Sequence, residues 1–370
     1  MSGFLGISSA RGRPGETEIV RNHDGDVVSF SYSGIEMLSV RHKIALDGPP
    51  RVEGKYISCL CYSGRNSAAD IANVIFSGPY RDERLGYVFP SNCFSEADLF
   101  EGGWQAYFAE VGFRKSLTVD QISKLSSLRL PSEATRFGQL GFDEVFGESA
   151  SVLVISTDAI KKTKMSLEEV ELSLIVSGLY PLSEQLSADV CKVVIPKEGN
   201  YKLKRVSSFF RGDAGHFVNL FRRADRDRTG VGAFLTYYQV IEYCISYILG
   251  WSVRDLSESD LDAWKLRDAL GNASNEKSRF NKLYSDHTSH SCDHEIFEGV
   301  RQAAFNFLRN LEVEGFEKWG WCEAVYKSRN MIVHNQISIF RSGTIEDLIT
   351  LNKTMRAACL EIVTHFVKAR

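Results

Sequence analysis

The chain has 370 residues, enough for two or more domains with ample core. Apolar residues make up 44% and charged residues 25%, the balance of an ordinary globular protein. The net charge of −3 argues against a protein that coats nucleic acid with its whole surface, and leaves room for a local basic site at most. The cysteines at 59, 61, 93, 191, 244, 292, 322 and 359 form no CxxC pair, so reduced, buried thiols in a cytosol are expected. No charged stretch followed by a long apolar run opens the chain, so no signal peptide is expected. The most apolar stretch, 237–251, is too short for a membrane span and contains Gln239 and Glu242. The expected location is the cytoplasm, away from membranes.

Residues 1–17 are rich in Gly, Ser and Arg and are expected to be a flexible start. From 18 to 202 the strand signal dominates, which predicts a β-rich α+β domain. Short β-rich runs fall at 27–32, 56–62, 151–156, 170–176 and 190–195. Turn residues punctuate them, as at 22–25 and 47–50. Helices are predicted at 67–75 and 118–128. Neither Gly102-Gly103 nor the run from Gly138 to Gly147 makes a phosphate loop, because no Gly-Lys-Ser/Thr follows. His23 and His42 read as ordinary histidines. This half shows no catalytic pattern, and a sensing or regulatory role is the expectation for it.

From 203 to 370 the hydrophobic period lengthens toward 3.6, which predicts an all-α bundle. A first helix is predicted over 209–223. The run from Arg222 to Arg228 follows, with two Asp among four Arg. It reads as a self-neutralised helix end rather than a phosphate-contacting patch. A long helix over 229–249 carries Phe234, Tyr238, Ile241, Ile245 and Ile248 in stripe. Shorter helices are predicted over 257–270 and 275–284, and a longer one over 295–311. His287, His290, Cys292 and His294 crowd one loop between them. Such ligand types suit zinc, but the spacing fits no closed motif, and the loop reads as polar connection. Thr344 is expected to cap a last helix bearing Leu348, Leu351, Met355, Cys359, Ile362 and Phe366.

The stretch Arg329-Asn330-Met331-Ile332-Val333-His334 lies near the end of a helix predicted over 316–334. Trp319, Cys322, Tyr326, Arg329 and Val333 recur at gaps of three and four, a stripe expected to face the core. A guanidinium there needs a partner. Glu242 on the long helix has two readings: an exposed or capping contact, or a buried carboxylate that pairs with Arg329. Asn330 and His334 share a polar face with Glu323 and Lys327. The stretch itself holds no carboxylate cluster for magnesium.

Arg, a polar residue, a short apolar run, then His resembles the signature of HEPN domains, helical bundles that are often ribonucleases. The aromatic helix from Phe234 to Tyr243 resembles the first long helix of the ApeA-like HEPN group. The resemblance covers roughly 206–370. It implies a homodimer whose composite site cleaves RNA, such as tRNA or mRNA, without metal or other cofactor. Arg329, Asn330 and His334 would be catalytic and Glu242 supporting. It further implies a toxin or antiphage effector that acts by abortive infection, with the N-terminal half as sensor or restraint and a phage-derived trigger or an antitoxin as possible partner. The alternative implied by the same resemblance is a non-catalytic bundle that dimerises and binds nucleotide or RNA.

Overall fold

The fold is given by a computed structural model, which describes residues 17–21, 27–32, 35–39, 56–62, 72–77, 82–90, 150–178, 180–181, 200–227, 229–288, 292–334 and 344–368. The chain divides into two units. One is mostly sheet and takes the chain up to Leu203, apart from the segment Leu167–Val176. That segment joins Lys204–Arg370 in the other unit, which is helical.

Strands β1 (Thr17–Arg21), β2 (Val27–Tyr32) and β3 (Ile35–Ser39) form an antiparallel three-stranded sheet. A second sheet contains β4 (Tyr56–Tyr62), β5 (Ala72–Ser77), β6 (Asp82–Pro90), β7 (Ala150–Ser156), β8 (Tyr180–Pro181) and β9 (Asn200–Leu203). Its order is β8-β4-β7-β6-β5-β9, and only the β5–β9 pair is parallel. Val74, Leu85, Val88, Leu153 and Ile155 are buried on it. At Gly86 the sheet tolerates no side chain, because a Cβ there would collide with the Val154 carbonyl oxygen on β7. The short helix α1 (Thr157–Thr163) follows β7 directly, with Ser156 as its N-cap.

Two sequence expectations are corrected here. The run 170–176 is not a strand but part of helix α2 (Leu167–Val176). Seven of its residues are buried, so its apolar character has no clear period, and Leu and Glu favour the helix. Residues 72–75, expected to be helical, lie in β5, where β6 and β9 supply partners on both sides. The predicted helix at 118–128 and the predicted strand at 190–195 lie outside the described residues.

The helical unit is built around α4 (Val231–Ser257). Helices α3 (Ala214–Arg226), α5 (Ala263–Ser274), α6 (Glu276–Ser285), α8 (Trp321–His334) and α9 (Ile345–His365) all touch it. Helix α7 (His294–Asn310) packs on α8 and α9, and α2 packs on α3. Phe234, Tyr238, Ile241, Ile245 and Ile248 of α4 are buried, as their stripe predicts. Asp227 fixes the start of α4: its Oδ1 accepts from the backbone of Thr229 at 2.8 Å and of Gly230 at 3.0 Å. Gly230 adopts φ +78° there, a conformation that favours glycine. Thr344 stands at the N-cap position of α9, as expected, but makes no side-chain cap bond to it.

Candidate functional site

Two helices meet at Arg329: α8 carries it, and α4 supplies Tyr238 and Glu242. The first turn of α6 joins them through Glu276, which bonds Tyr238. The local folding of α8 decides where the arginine points. Residues Phe316–Lys318 form a separate 3-10 turn that Trp319 closes, and the α-helix begins only at Trp321. Trp319 therefore does not share the helical phase of the residues after it. The buried ridge of α8 runs through Trp321, Val325, Ser328 and Ile332. It is offset by about 100° from the stripe read from the sequence. Arg329 consequently sits at the margin of the core, with 31% of its side chain exposed, and Val333 is exposed. This corrects the expectation that both face the core.

At that margin the guanidinium has three neighbours. The Glu242 carboxylate lies 3.9 Å away, an ion pair longer than a hydrogen bond. Arg329 Nη1 donates to Asn330 Oδ1 at 3.2 Å. The guanidinium carbon lies 5.8 Å from the centre of the Tyr238 ring, within cation–π range. Of the two readings of Glu242, the structure therefore gives pairing with Arg329, but at a half-exposed position rather than a buried one. Burial raises the Glu242 carboxyl above the ordinary carboxylate range, Arg329 pulls it part of the way back, and Glu276 pushes it up further.

The fold adds two groups that the sequence reading assigned no role in the site. Tyr238, read as part of the core stripe, donates its hydroxyl to Glu276 Oε1 at 2.8 Å. Glu276 opens α6 immediately after the cap residue Asn275, whose Oδ1 accepts from Ser278 N at 2.9 Å. A carboxylate is favourable at that helix start. The signal for Tyr238 was its spacing of four from Glu242, which puts both on one face of α4. Nothing near Glu276 in sequence could tie it to Arg329. Lys277 then bridges α6 to α8 through Glu323 at 2.6 Å.

His334 is exposed as the last residue of α8. It lies about 7.5 Å along the axis from Arg329 and about 140° around it on an ideal helix. The structure thus brings Arg329, Asn330 and Glu242 together, while His334, one turn beyond Asn330 on α8, is turned well around the helix from Arg329.

The other candidates have structural partners. In the arginine-rich run, Arg222 pairs with Glu171 of α2, and Asp225 pairs with Arg356 of α9 at 3.2 Å while accepting from the Tyr237 hydroxyl. The ring of His287 stacks on Phe366 and lies tilted against Trp251, and its Nδ1 lies 3.0 Å from the Val367 carbonyl oxygen. Burial holds its pKa below the usual histidine value. His294 Nδ1 lies 2.6 Å from the Tyr284 hydroxyl, and Cys292 is a buried free thiol. His290 lies outside the described residues. Among the described residues no group of three or more His, Cys, Asp or Glu is placed to hold a metal ion. No described helix is long and apolar enough to cross a membrane. No family model, curated protein or solved structure matches the chain.

Proposed function

We propose that this chain is a cytoplasmic RNA endonuclease of the HEPN kind, acting as a toxin or antiphage effector by abortive infection. One observation carries the reading. A guanidinium held by Glu242 and Asn330 keeps part of its surface open to solvent, on a helix that ends in an exposed histidine.

Such a pair suits cleavage by the RNA's own 2′-hydroxyl. A neutral imidazole takes the 2′-hydroxyl proton, and the oxygen attacks the neighbouring phosphorus. The bond to the 5′-oxygen breaks, and an imidazolium protonates that leaving oxygen. A cyclic phosphate stays on one product. The arginine fork binds the phosphate oxygens and offsets the charge gathered in the transition state. Asn330 and Glu242 act by orienting that fork. One chain supplies one histidine, set well around the helix from its arginine. Two copies related by a two-fold axis supply both the base and the acid, so the active species is a homodimer with a composite site. The substrate class is tRNA or mRNA. The sheet unit serves as sensor or restraint, answering to a phage-derived trigger or to an antitoxin.

A second reading has an observation in its favour. Arg329 already has Glu242 and Asn330 as partners within its own chain, which suits a bundle that only dimerises and binds nucleotide or RNA.

Mixed dimers test the first reading. Arg329→Ala and His334→Ala homodimers are expected to be inactive on RNA. A doubly tagged heterodimer of the two keeps one Arg and one His on different chains, lacks the second imidazole, and is expected to regain only part of the activity. Wild-type protein that cleaves as a strict monomer would exclude the shared site. Purified His334→Ala that cuts RNA at the wild-type rate would exclude the catalytic role and favour the binding module.

A further inference from the structure

Helix α5 (Ala263–Ser274) buries no residue within its own chain. A helix of this length gains little from its backbone alone and relies on packing. Leu266, Ala269 and Ala273 are half-buried and recur at gaps of three and four, which defines the side turned toward the bundle. The opposite ridge carries Trp264, Asp268 and Gly271. Trp264 is 70% exposed, far beyond what a tryptophan at an unused surface needs. Leu261, just before the helix, and Leu270 within it are also exposed.

Two features on or beside this ridge remain open to solvent. Gly271 lies inside a regular helix turn, where glycine is a poor choice, and a Cβ on it would meet nothing within 4 Å. Arg267 and Asp268 are neighbours in sequence with side chains 67% and 71% exposed, touching only at 3.5 Å. A second helix laid against this ridge would use both. The Arg267 guanidinium also lies 4.3 Å from the Trp264 ring centre, which holds the indole and the charge together.

We propose that α5 is a self-association surface whose occupant is α5 of a second copy, packed antiparallel about a two-fold axis between Arg267 and Asp268. Charge complementarity selects this occupant. In that register Arg267 faces the partner's Asp268, and Asp268 faces the partner's Arg267, so one sequence supplies both halves of two ion pairs. Trp264 faces the partner's Gly271, where the missing Cβ leaves room for the indole. Tryptophan packed against a small residue at the centre of a contact, flanked by charge pairs, is the usual anatomy of an interface. The proposal rests on α5 alone and does not depend on RNA cleavage.

Sedimentation of the full chain over a range of concentrations tests it. Wild type is expected to self-associate through α5, separately from any contact made through the Arg329/His334 face. Trp264→Ala, Arg267→Asp and Asp268→Arg are each expected to weaken the dimer by about ten-fold or more, with unchanged circular dichroism, since all three side chains are exposed. The double variant Arg267→Asp/Asp268→Arg restores opposite charges across the axis and is expected to bind more tightly than either single. A wild type that stays monomeric up to about 100 μM overturns the proposal. So does a double variant no tighter than the singles. A dimer indifferent to all of these changes uses another face, including the one that a composite Arg329/His334 site needs. That outcome overturns the α5 proposal and leaves the catalytic reading intact.

Discussion

The Arg329 guanidinium lies 3.9 Å from the Glu242 carboxylate, across the contact between α8 and α4. Both side chains are about a third or more exposed, so solvent screens the pair and its contribution to stability is small. Under the proposed function its use is orientation. Arg329→Ala is expected to cost within about 1 kcal/mol of stability, less than a core-facing arginine would, while removing RNA cleavage. Denaturant unfolding beside a cleavage assay checks this. A loss of several kcal/mol would mean that the arginine holds the bundle together.

His334→Ala is expected to abolish cleavage and to change stability by less than about 0.5 kcal/mol. The side chain is exposed at the end of α8, and such surface substitutions leave no cavity. Purified variant protein, assayed on total RNA and melted in parallel with wild type, gives both values.

The Asp225–Arg356 pair should behave in the opposite way. Their side chains are 1% and 9% exposed, and Asp225 also accepts from the Tyr237 hydroxyl. Asp225→Ala removes the carboxylate paired with a buried guanidinium and is expected to cost about 3–5 kcal/mol. Tyr237→Phe removes only a hydroxyl and should cost about 1–2 kcal/mol. Equal, small losses in both variants would show that water reaches the pair.

His287 gives the helical unit a dependence on pH with a definite sign. Burial lowers its pKa in the folded state, while the Val367 carbonyl and Asp286 resist the shift and Lys282 adds to it. The unfolded chain therefore takes up the proton first. The stability that neutral His287 contributes is complete above the unfolded value of about 6.5 and is lost as pH falls below it, toward the lower folded pKa. Wild type should lose stability relative to His287→Gln between about pH 7 and pH 5. Parallel melting curves with no divergence over that range would refute this.

The boundary between the units leads to a prediction about fragments. The change of hydrophobic period suggests expression from residue 203 onward. Yet α2 belongs with the helical unit, where it packs on α3 and pairs Glu171 with Arg222. A fragment beginning at Lys204 lacks α2 and is expected to melt lower than one in which α2 is fused ahead of Lys204 through a flexible linker. Identical melting temperatures would mean that α3 does not need α2.

Much of the helical unit could be read from sequence because its long helices bury one stripe each. Phe234, Tyr238, Ile241, Ile245 and Ile248 on α4, and Leu348, Leu351, Met355, Cys359 and Ile362 on α9, recur at gaps of three and four and are buried. The end of α8 at His334 was read in the same way. Misreadings arose where a segment is buried on nearly all sides, as α2 is, or where a turn of another kind precedes the helix, as Phe316–Lys318 does before α8. In the first case periodicity vanishes. In the second, Trp319 enters the count out of phase.

The sequence by itself determined the helices of the C-terminal part, the position of Arg329, Asn330 and His334 near the end of one of them, and the candidacy of Glu242 as a partner. These depend on spacing along one chain, which the helical repeat converts directly into shared faces. Only the tertiary structure decided that Glu242 meets Arg329 at the margin of the core, and that Tyr238 and Glu276 adjoin them. It also decided that α5 keeps Trp264 exposed. Those relations depend on the relative rotation of α4, α5, α6 and α8 about their axes. That rotation is set by which side chains the whole bundle can bury at once, and local spacing does not encode it.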